Sequence, residues 1–369
     1  MNFTFFMPTK VLLGAGCIAG NKEEFGKLGK RALLVTGRNS AKASGALEDV
    51  TTVLEAQAIA WEVFDQIEEN PTFAAVEAGG AAARRFKPDM IIAIGGGSPL
   101  DAAKAIAVLA VNSIHASELY KGGFQAAPLP IAAIPLTAGT GSEVTPYAVL
   151  TDSERQTKRS FSDIRIFPKI AFLDARYTQS QSREVTVNTA IDALSHAIEG
   201  YLSKRSTPVS DCLALEAIRS FGRACHALLS GEFTLADREE LLYASLLGGV
   251  VIAQTGTTAV HALGYSLTYF YQVPHGRANG LLLGAYLRFN EPVVPQKIAA
   301  VLAALGLKTV DEMKALMSRL LPSSEVYTQE ELQNFAAIAS EAANLANTPR
   351  QPGKEDLYHL LQQSLTSKV

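Results

Sequence analysis

The hydrophobic period of this 369-residue chain changes once, near residue 180, and that change restricts the fold more than any other feature. Ahead of it, short β-branched apolar runs alternate with Ala-rich amphipathic segments. "RALLVTG" (31–37), "WEVFDQI" (61–67), "MIIAI" (90–94) and "PIAAIPLT" (130–137) read as strands. Between them "SGALEDVTTVLEAQ", "TFAAVEAGGAAARRF" and "PLDAAKAIAVLAV" read as helices. Such alternation predicts a parallel sheet with helices on both faces. The N-terminal "MNFTFFMPTKVLLGAG", apolar at alternate positions, reads as a further strand. Beyond residue 180 the strand signals fade into helical stretches over 187–203, 208–228, 237–255, 257–270 and 278–289, with more to the C-terminus. The length allows two substantial cores. We therefore expect an α/β domain over 1–180 and an all-helical domain over 181–369.

Composition narrows the function by exclusion. The chain is 48% apolar and 19% charged, with a net charge of −3 and dispersed basic residues, so nothing argues for nucleic acid or an anionic membrane. Residues 91–111 are the most apolar long stretch, but they contain Asp101, Lys104 and three glycines and do not read as a membrane span. The N-terminus lacks the basic region of a signal peptide. Cys17, Cys212 and Cys225 are few, odd in number and far apart, which fits a reducing cytoplasm rather than a disulfide framework.

Two glycine-rich turns point to a phosphate-bearing ligand. In "MIIAIGGGSPLDAAKAIA" a strand runs through Gly95, Gly96 and Gly97 into a helix expected to start at Ser98 or Pro99. Glycines allow close backbone approach, free N–H groups at the helix start suit a phosphate, and Asp101 suits the positive end of the helix dipole. A sharp strand-to-helix turn without a ligand would read the same way. The second turn, "IPLTAGTGSEVT" (134–145), adds the hydroxyls of Thr137, Thr140 and Ser142. Two such loops at neighbouring strand ends favour a dinucleotide.

The third signal is a set of metal-ligand side chains. Asp192 and His196 stand four residues apart in the helical "TAIDALSHAIEGY", about 6 Å along one face. His261 and His275 bracket "HALGYSLTYFYQVPH", where Pro274 and Gly276 mark a break that can turn the second back toward the first. One carboxylate and three imidazoles without a thiol suit iron(II) or zinc. Spacing does not fix convergence, so separate core or surface histidines are the alternative. His115, His226 and His359 lack matching partners and read as structural or exposed.

Together, "GGGSPLDAAK" (95–104), "TAGTGSEVT" (137–145), "NTAIDALSHAIEGY" (188–201) and "HALGYSLTYFYQVPHGRANGLLL" (261–283) resemble the iron-containing (group III) alcohol dehydrogenases, nearly end to end. The resemblance implies a Rossmann-like dinucleotide-binding domain and an all-α domain in a dehydroquinate synthase-like architecture, with the active site in the cleft between them. It implies that Asp192, His196, His261 and His275 hold Fe2+, or alternatively Zn2+. Gly95, Gly96, Gly97 and Ser98 would cradle the pyrophosphate of NADPH or NADH. Thr137 and Thr140 would line the cofactor site, Lys158 would face the ribose, and Asn70 would lie beside the adenosine end. The implied reaction is hydride transfer between the nicotinamide and a primary alcohol or aldehyde, in a cytoplasmic homodimer.

Three positions depart from the family pattern. Tyr265 replaces a histidine thought to relay the proton; a phenol, with its pKa near 10, is a poorer shuttle at neutral pH, and pocket wall is the simpler role. Gly37 replaces the aspartate that NAD-preferring members place on the adenosine ribose, which leaves Arg38 available to a 2′-phosphate and favours NADPH. Leu136 replaces a threonine. The rival readings are a zinc-dependent polyol dehydrogenase, a dehydroquinate synthase-type elimination enzyme, which the sparse basic residues disfavour, and a non-catalytic helical interaction protein.

Overall fold

The computed structural model describes residues 2–322 and 326–365. They form two compact units: Met7–Thr137 with Gly141–Gln181, and the described residues of Met1–Phe6 with Ala138–Thr140 and those of Ser182–Val369. The division is therefore not a single cut, since two short N-terminal pieces belong to the helical unit.

The α/β unit contains eight strands: β1 (Lys10–Leu13), β2 (Arg31–Thr36), β3 (Ala60–Phe64), β4 (Met90–Gly95), β5 (Ile131–Pro135), β6 (Tyr147–Asp152), β7 (Thr157–Ser162) and β8 (Ile170–Leu173). Six form a sheet in the order β1-β8-β5-β4-β2-β3, with every pairing parallel. β4 is buried at every residue, as a strand covered on both faces must be. Leu33, Val35, Ile91 and Ala93 enter one core, and Ala32, Leu34, Ile92 and Ile94 enter the other. Register aligns Thr36 with Ile94 and Ile94 with Ile134. The turns after β2, β4 and β5 consequently share the carboxyl edge of the sheet, where open α/β sheets bind ligands.

Three features differ from the sequence reading. The N-terminal strand is confined to Lys10–Leu13, while Phe3, Phe5 and Phe6 are exposed outside any strand. The antiparallel hairpin β6–β7 and the core strand β8 were unforeseen. β7, "TKRSFS", buries only Phe161 and so lacks a strand's apolar run. The helix after β4 starts at Gly97, with Gly96 as its N-cap, ahead of the Ser98 or Pro99 start that capping propensity favours.

In the helical unit, Arg183–Leu202 is capped by the Ser182 side chain, which accepts from the Val185 N–H. Nearly every residue from Thr186 to Leu202 is buried, so this helix is the core of its unit. Pro208–Ser230, Leu235–Thr255 and His275–Asn290 pack against it. Thr207 and Thr234 form reciprocal capping boxes that fix where two of these begin. Among the described residues, no single helix is long and apolar enough to cross a membrane.

Candidate active site

Three helices bring the four predicted ligands together. Asp192 and His196 lie one turn apart on Arg183–Leu202, His261 is the third residue of Ala259–Tyr271, and His275 opens His275–Asn290 behind its N-cap Pro274. The chain reverses through Gln272, which takes the left-handed conformation at φ 54°. Asp192 Oδ1 is the common point. It lies 3.9 Å from Nε2 of His196, 3.7 Å from that of His261 and 3.8 Å from that of His275. Ligand atoms of Asp192, His261 and His275 all lie within 4.8 Å of one another. His196 falls outside that tighter trio, and its ring stacks on His261 at a centroid distance of 4.7 Å.

Close helix packing fixes this geometry. A Cβ added to Gly276 would lie 1.8 Å from the carbonyl oxygen of Asn188, so only glycine lets the His275 helix approach the Asp192 helix so closely. Burial pushes the His196 imidazole below its ordinary pKa against the raising pull of Asp192, which favours the neutral form a ligand needs.

Two further residues, both missed by sequence reading, complete the centre. Asn279, fully buried on the His275 helix, donates from Nδ2 to Asp192 Oδ1 at 3.0 Å; the same nitrogen lies 3.2 Å from His261 Nε2 and 3.3 Å from His275 Nε2. An amide nitrogen carries two hydrogens and here meets three acceptors, whereas a cation satisfies all three at once. The donor set therefore fits a divalent metal, and a thiol-free O/N set fits iron(II) or zinc. Glu199 is the second residue, one further turn along the face that carries Asp192 and His196. Its carboxylate accepts from His261 Nδ1 and from the N–H groups at the start of the His261 helix. Burial alone would raise its pKa, but His261 and the Thr258 hydrogen bonds outweigh burial and hold it below the ordinary value. The i, i+4, i+7 spacing of Asp192, His196 and Glu199 on a buried helix face is the signal that points to it.

Tyr265 stacks on His275 with centroids 5.3 Å apart and planes 16° from parallel, so it forms wall beside that ligand.

In the α/β unit Gly37, Arg38, Gly95, Gly96, Gly97, Ser98 and Thr137 stand at or just beyond the sheet's carboxyl edge. A Cβ at Gly95 would lie 2.4 Å from Pro99 Cγ, and one at Gly96 would lie 3.1 Å from Thr137 Cγ2. The two turns are thus in contact, and the first excludes side chains. Ser98 Oγ accepts from the Asn70 N–H at 3.1 Å, while Thr151 Oγ1 donates to the Asn70 carbonyl at 3.0 Å. Asn70 adopts φ 57°, tolerable for asparagine, which aims its loop toward the glycine turn. Lys158 stands opposite Thr151 in the β6–β7 hairpin. Leu136 is buried, and Thr140 groups with the helical unit.

Asp101 faces inward. Its Oδ1 accepts from Ser142 Oγ at 2.6 Å and its Oδ2 from the Val149 N–H at 3.0 Å. Lys104, fully buried, donates to Ser142 Oγ at 2.7 Å and to the Tyr147 carbonyl at 2.6 Å. Burial lowers Lys104 to about 8. Burial also raises the neighbouring Glu143 to about 7, and its Oε1 has no hydrogen-bond partner among the described residues. This network ties the second glycine-rich loop to the helix that follows the first. Beside Gly37, Arg38 Nη2 pairs with Glu68 Oε1 at 2.8 Å, both side chains being exposed. Glu68 lies in the loop after β3, so the partner of Arg38 comes from a neighbouring strand end.

A glycine-edged parallel sheet and a buried His/Asp centre on three helices define a metal-dependent oxidoreductase of the nicotinamide-linked class. Comparison with known proteins makes this specific. Residues 8–175 match the family described as iron-containing alcohol dehydrogenase, and residues 186–365 match its C-terminal part. The chain belongs to the iron-containing alcohol dehydrogenase family. It is 32% identical to 1,3-propanediol dehydrogenase of Klebsiella pneumoniae, with 98% of each chain covered. It is 29% identical to the NADPH-dependent butanol dehydrogenase of Clostridium saccharobutylicum, with 97% of each covered. The crystal structure of an iron-containing alcohol dehydrogenase from Thermotoga maritima superposes with a TM-score of 0.92 at 40% identity over 99% of each chain.

Proposed function

We propose that this protein interconverts a small primary alcohol and its aldehyde, using NADPH or NADH, with Asp192, His196, His261 and His275 as the ligands of iron(II) or, alternatively, zinc. The observation that carries the reading is the approach of three imidazole Nε2 atoms to one Asp192 oxygen. When bound, the metal supplies Lewis acidity toward the substrate oxygen, and the nicotinamide donates or accepts the hydride. Asp192 would offset one charge of the divalent ion, and imidazole ligands would offset none, so the centre would stay net positive toward substrate oxygen. Tyr265 confines the approach along the His275 ring. Gly95, Gly96, Gly97 and Ser98 take the pyrophosphate at the helix start, Thr137 and Thr140 line the cofactor site, and Asn70 and Lys158 contact the adenosine and ribose ends. Asp101 acts through Ser142 rather than on the cofactor itself.

The cofactor reading favours NADPH. The absence of a carboxylate at Gly37 and the exposed Arg38 support it, as does similarity to an NADPH-dependent butanol dehydrogenase. Glu68 moderates that preference by competing for Arg38. A homodimer fits the exposed Phe3, Phe5 and Phe6.

The test is aldehyde-dependent oxidation of NADPH and NADH by metal-stripped protein, reconstituted anaerobically with iron(II) or zinc. Restored turnover with either metal is expected, with higher kcat/KM for NADPH. A protein that binds neither metal nor nucleotide would not be this enzyme.

A further inference from the structure

The two oxygens of Glu199 divide their work. Oε1 accepts from the Thr258 N–H at 2.8 Å, Thr258 Oγ1 at 2.6 Å and the Val260 N–H at 3.1 Å, with the His261 N–H at 3.4 Å. Thr258, the N-cap residue of this helix, makes no side-chain cap bond of its own, so a carboxylate from another helix closes the helix start. Oε2 is left to His261 Nδ1. A carboxylate has no proton to donate, so the Nδ1 it faces must carry one. That assigns His261 the tautomer with its Nε2 lone pair toward Asp192 Oδ1. We propose that Glu199 is a positioning residue that fixes His261 as a metal ligand: Oε1 locks the ring's helix in place, and Oε2 selects the tautomer whose Nε2 can bind. The inference rests on the metal reading above.

The asymmetry supplies its own test. In Glu199→Gln, the donors around Oε1 hold the amide oxygen there, so the helix start remains capped. The amide NH2 then takes the place of Oε2 and donates to Nδ1, which drives the proton to Nε2, where it blocks the metal. Zn2+ affinity, measured on the metal-free full chain by competition with a chromophoric chelator, should fall about 10- to 100-fold. The thermal midpoint of the metal-free variant should stay within a few degrees of wild type. The 15N shifts of His261 should report a proton on Nδ1 in the wild type and on Nε2 in the variant. Thr258→Val serves as the converse: it removes one donor to Oε1, and should lower the midpoint while changing Zn2+ affinity by less than about threefold. Unchanged Zn2+ affinity in Glu199→Gln would overturn the proposal, as would parallel losses of midpoint and affinity in both variants. A wild-type chain that binds no Zn2+ or iron(II) would instead remove the metal reading, and this inference with it.

Discussion

In the helical unit, Asp192, His196, His261 and His275 are presented by side chains from three buried helices, and Glu199 and Asn279 hold them from behind. In the α/β unit the proposed ligand-facing positions are Gly95, Gly96 and Gly97, while the ionisable Asp101 and Lys104 are turned into the protein. One unit makes its site by placing functional groups. The other makes it by leaving groups out and exposing backbone N–H donors at a helix start. The difference suits the proposed ligands: a bare cation needs lone pairs converging on a point, whereas a diphosphate is broad and is met well by peptide groups.

Removing a side chain should therefore be severe in the helical unit, and adding one severe in the α/β unit. The largest effect is expected for Asp192→Ala, which deletes the common point of the centre. Turnover should fall at least about a thousandfold, the several kcal/mol of Lewis-acid assistance, with nucleotide affinity by fluorescence titration unchanged. Next is Gly95→Ala, whose methyl would collide with Pro99. It should cost about 1–3 kcal/mol of stability by denaturant unfolding and weaken NADPH binding about tenfold or more, while metal content by elemental analysis stays at the wild-type level. A weakened metal site in that variant would break the contrast.

Glu143 tests whether the hidden charges of the α/β unit are structural. Its folded pKa of about 7 lies above the ordinary glutamate value, so the folded state binds this proton more tightly than the unfolded chain. Its contribution is fully present at low pH, and is lost as pH rises from the ordinary value through about 7. Glu143→Gln should flatten that decline and gain on the order of 1–2 kcal/mol relative to wild type at pH 8, measured by denaturant unfolding across pH 5–8. Identical pH profiles would show that this carboxyl is not buried unpaired. The smallest effect is expected for Glu68→Gln, which frees Arg38 from an exposed ion pair. The ratio of kcat/KM for NADPH over NADH should rise about two- to fivefold, and less at high salt.

The sequence was most legible where local rules apply. Four-residue spacing places Asp192 and His196 on one face, the Pro274–Gly276 break marks the start of the His275 helix, and the glycine run marks the turn after β4. Where partners lie far apart in the chain, little could be read. Glu199 meets Thr258 and His261 across a helix–helix contact, and Arg38 meets Glu68 from the next strand's loop. Lys104 sits in an amphipathic pattern where a lysine reads as solvent-facing, yet it is fully buried because Ser142, Thr145 and the Tyr147 carbonyl surround its ammonium. The hairpin is hard to read for the opposite reason: β6 buries Ala148 and Leu150, but its partner "TKRSFS" is polar and owes its form to the pairing with β6.

The order in which the ligands occur along the chain bears on biosynthesis. A ribosome releases Asp192 and His196 together, His261 much later and His275 last, at the first turn of its own helix. A nascent or truncated chain ending before that helix holds an incomplete ligand set and lacks the packing of Gly276 against Asn188 that closes the centre. With these four as the proposed ligands, a chain that has not yet made its His275 helix offers only three of them, and tight loading then waits for that helix.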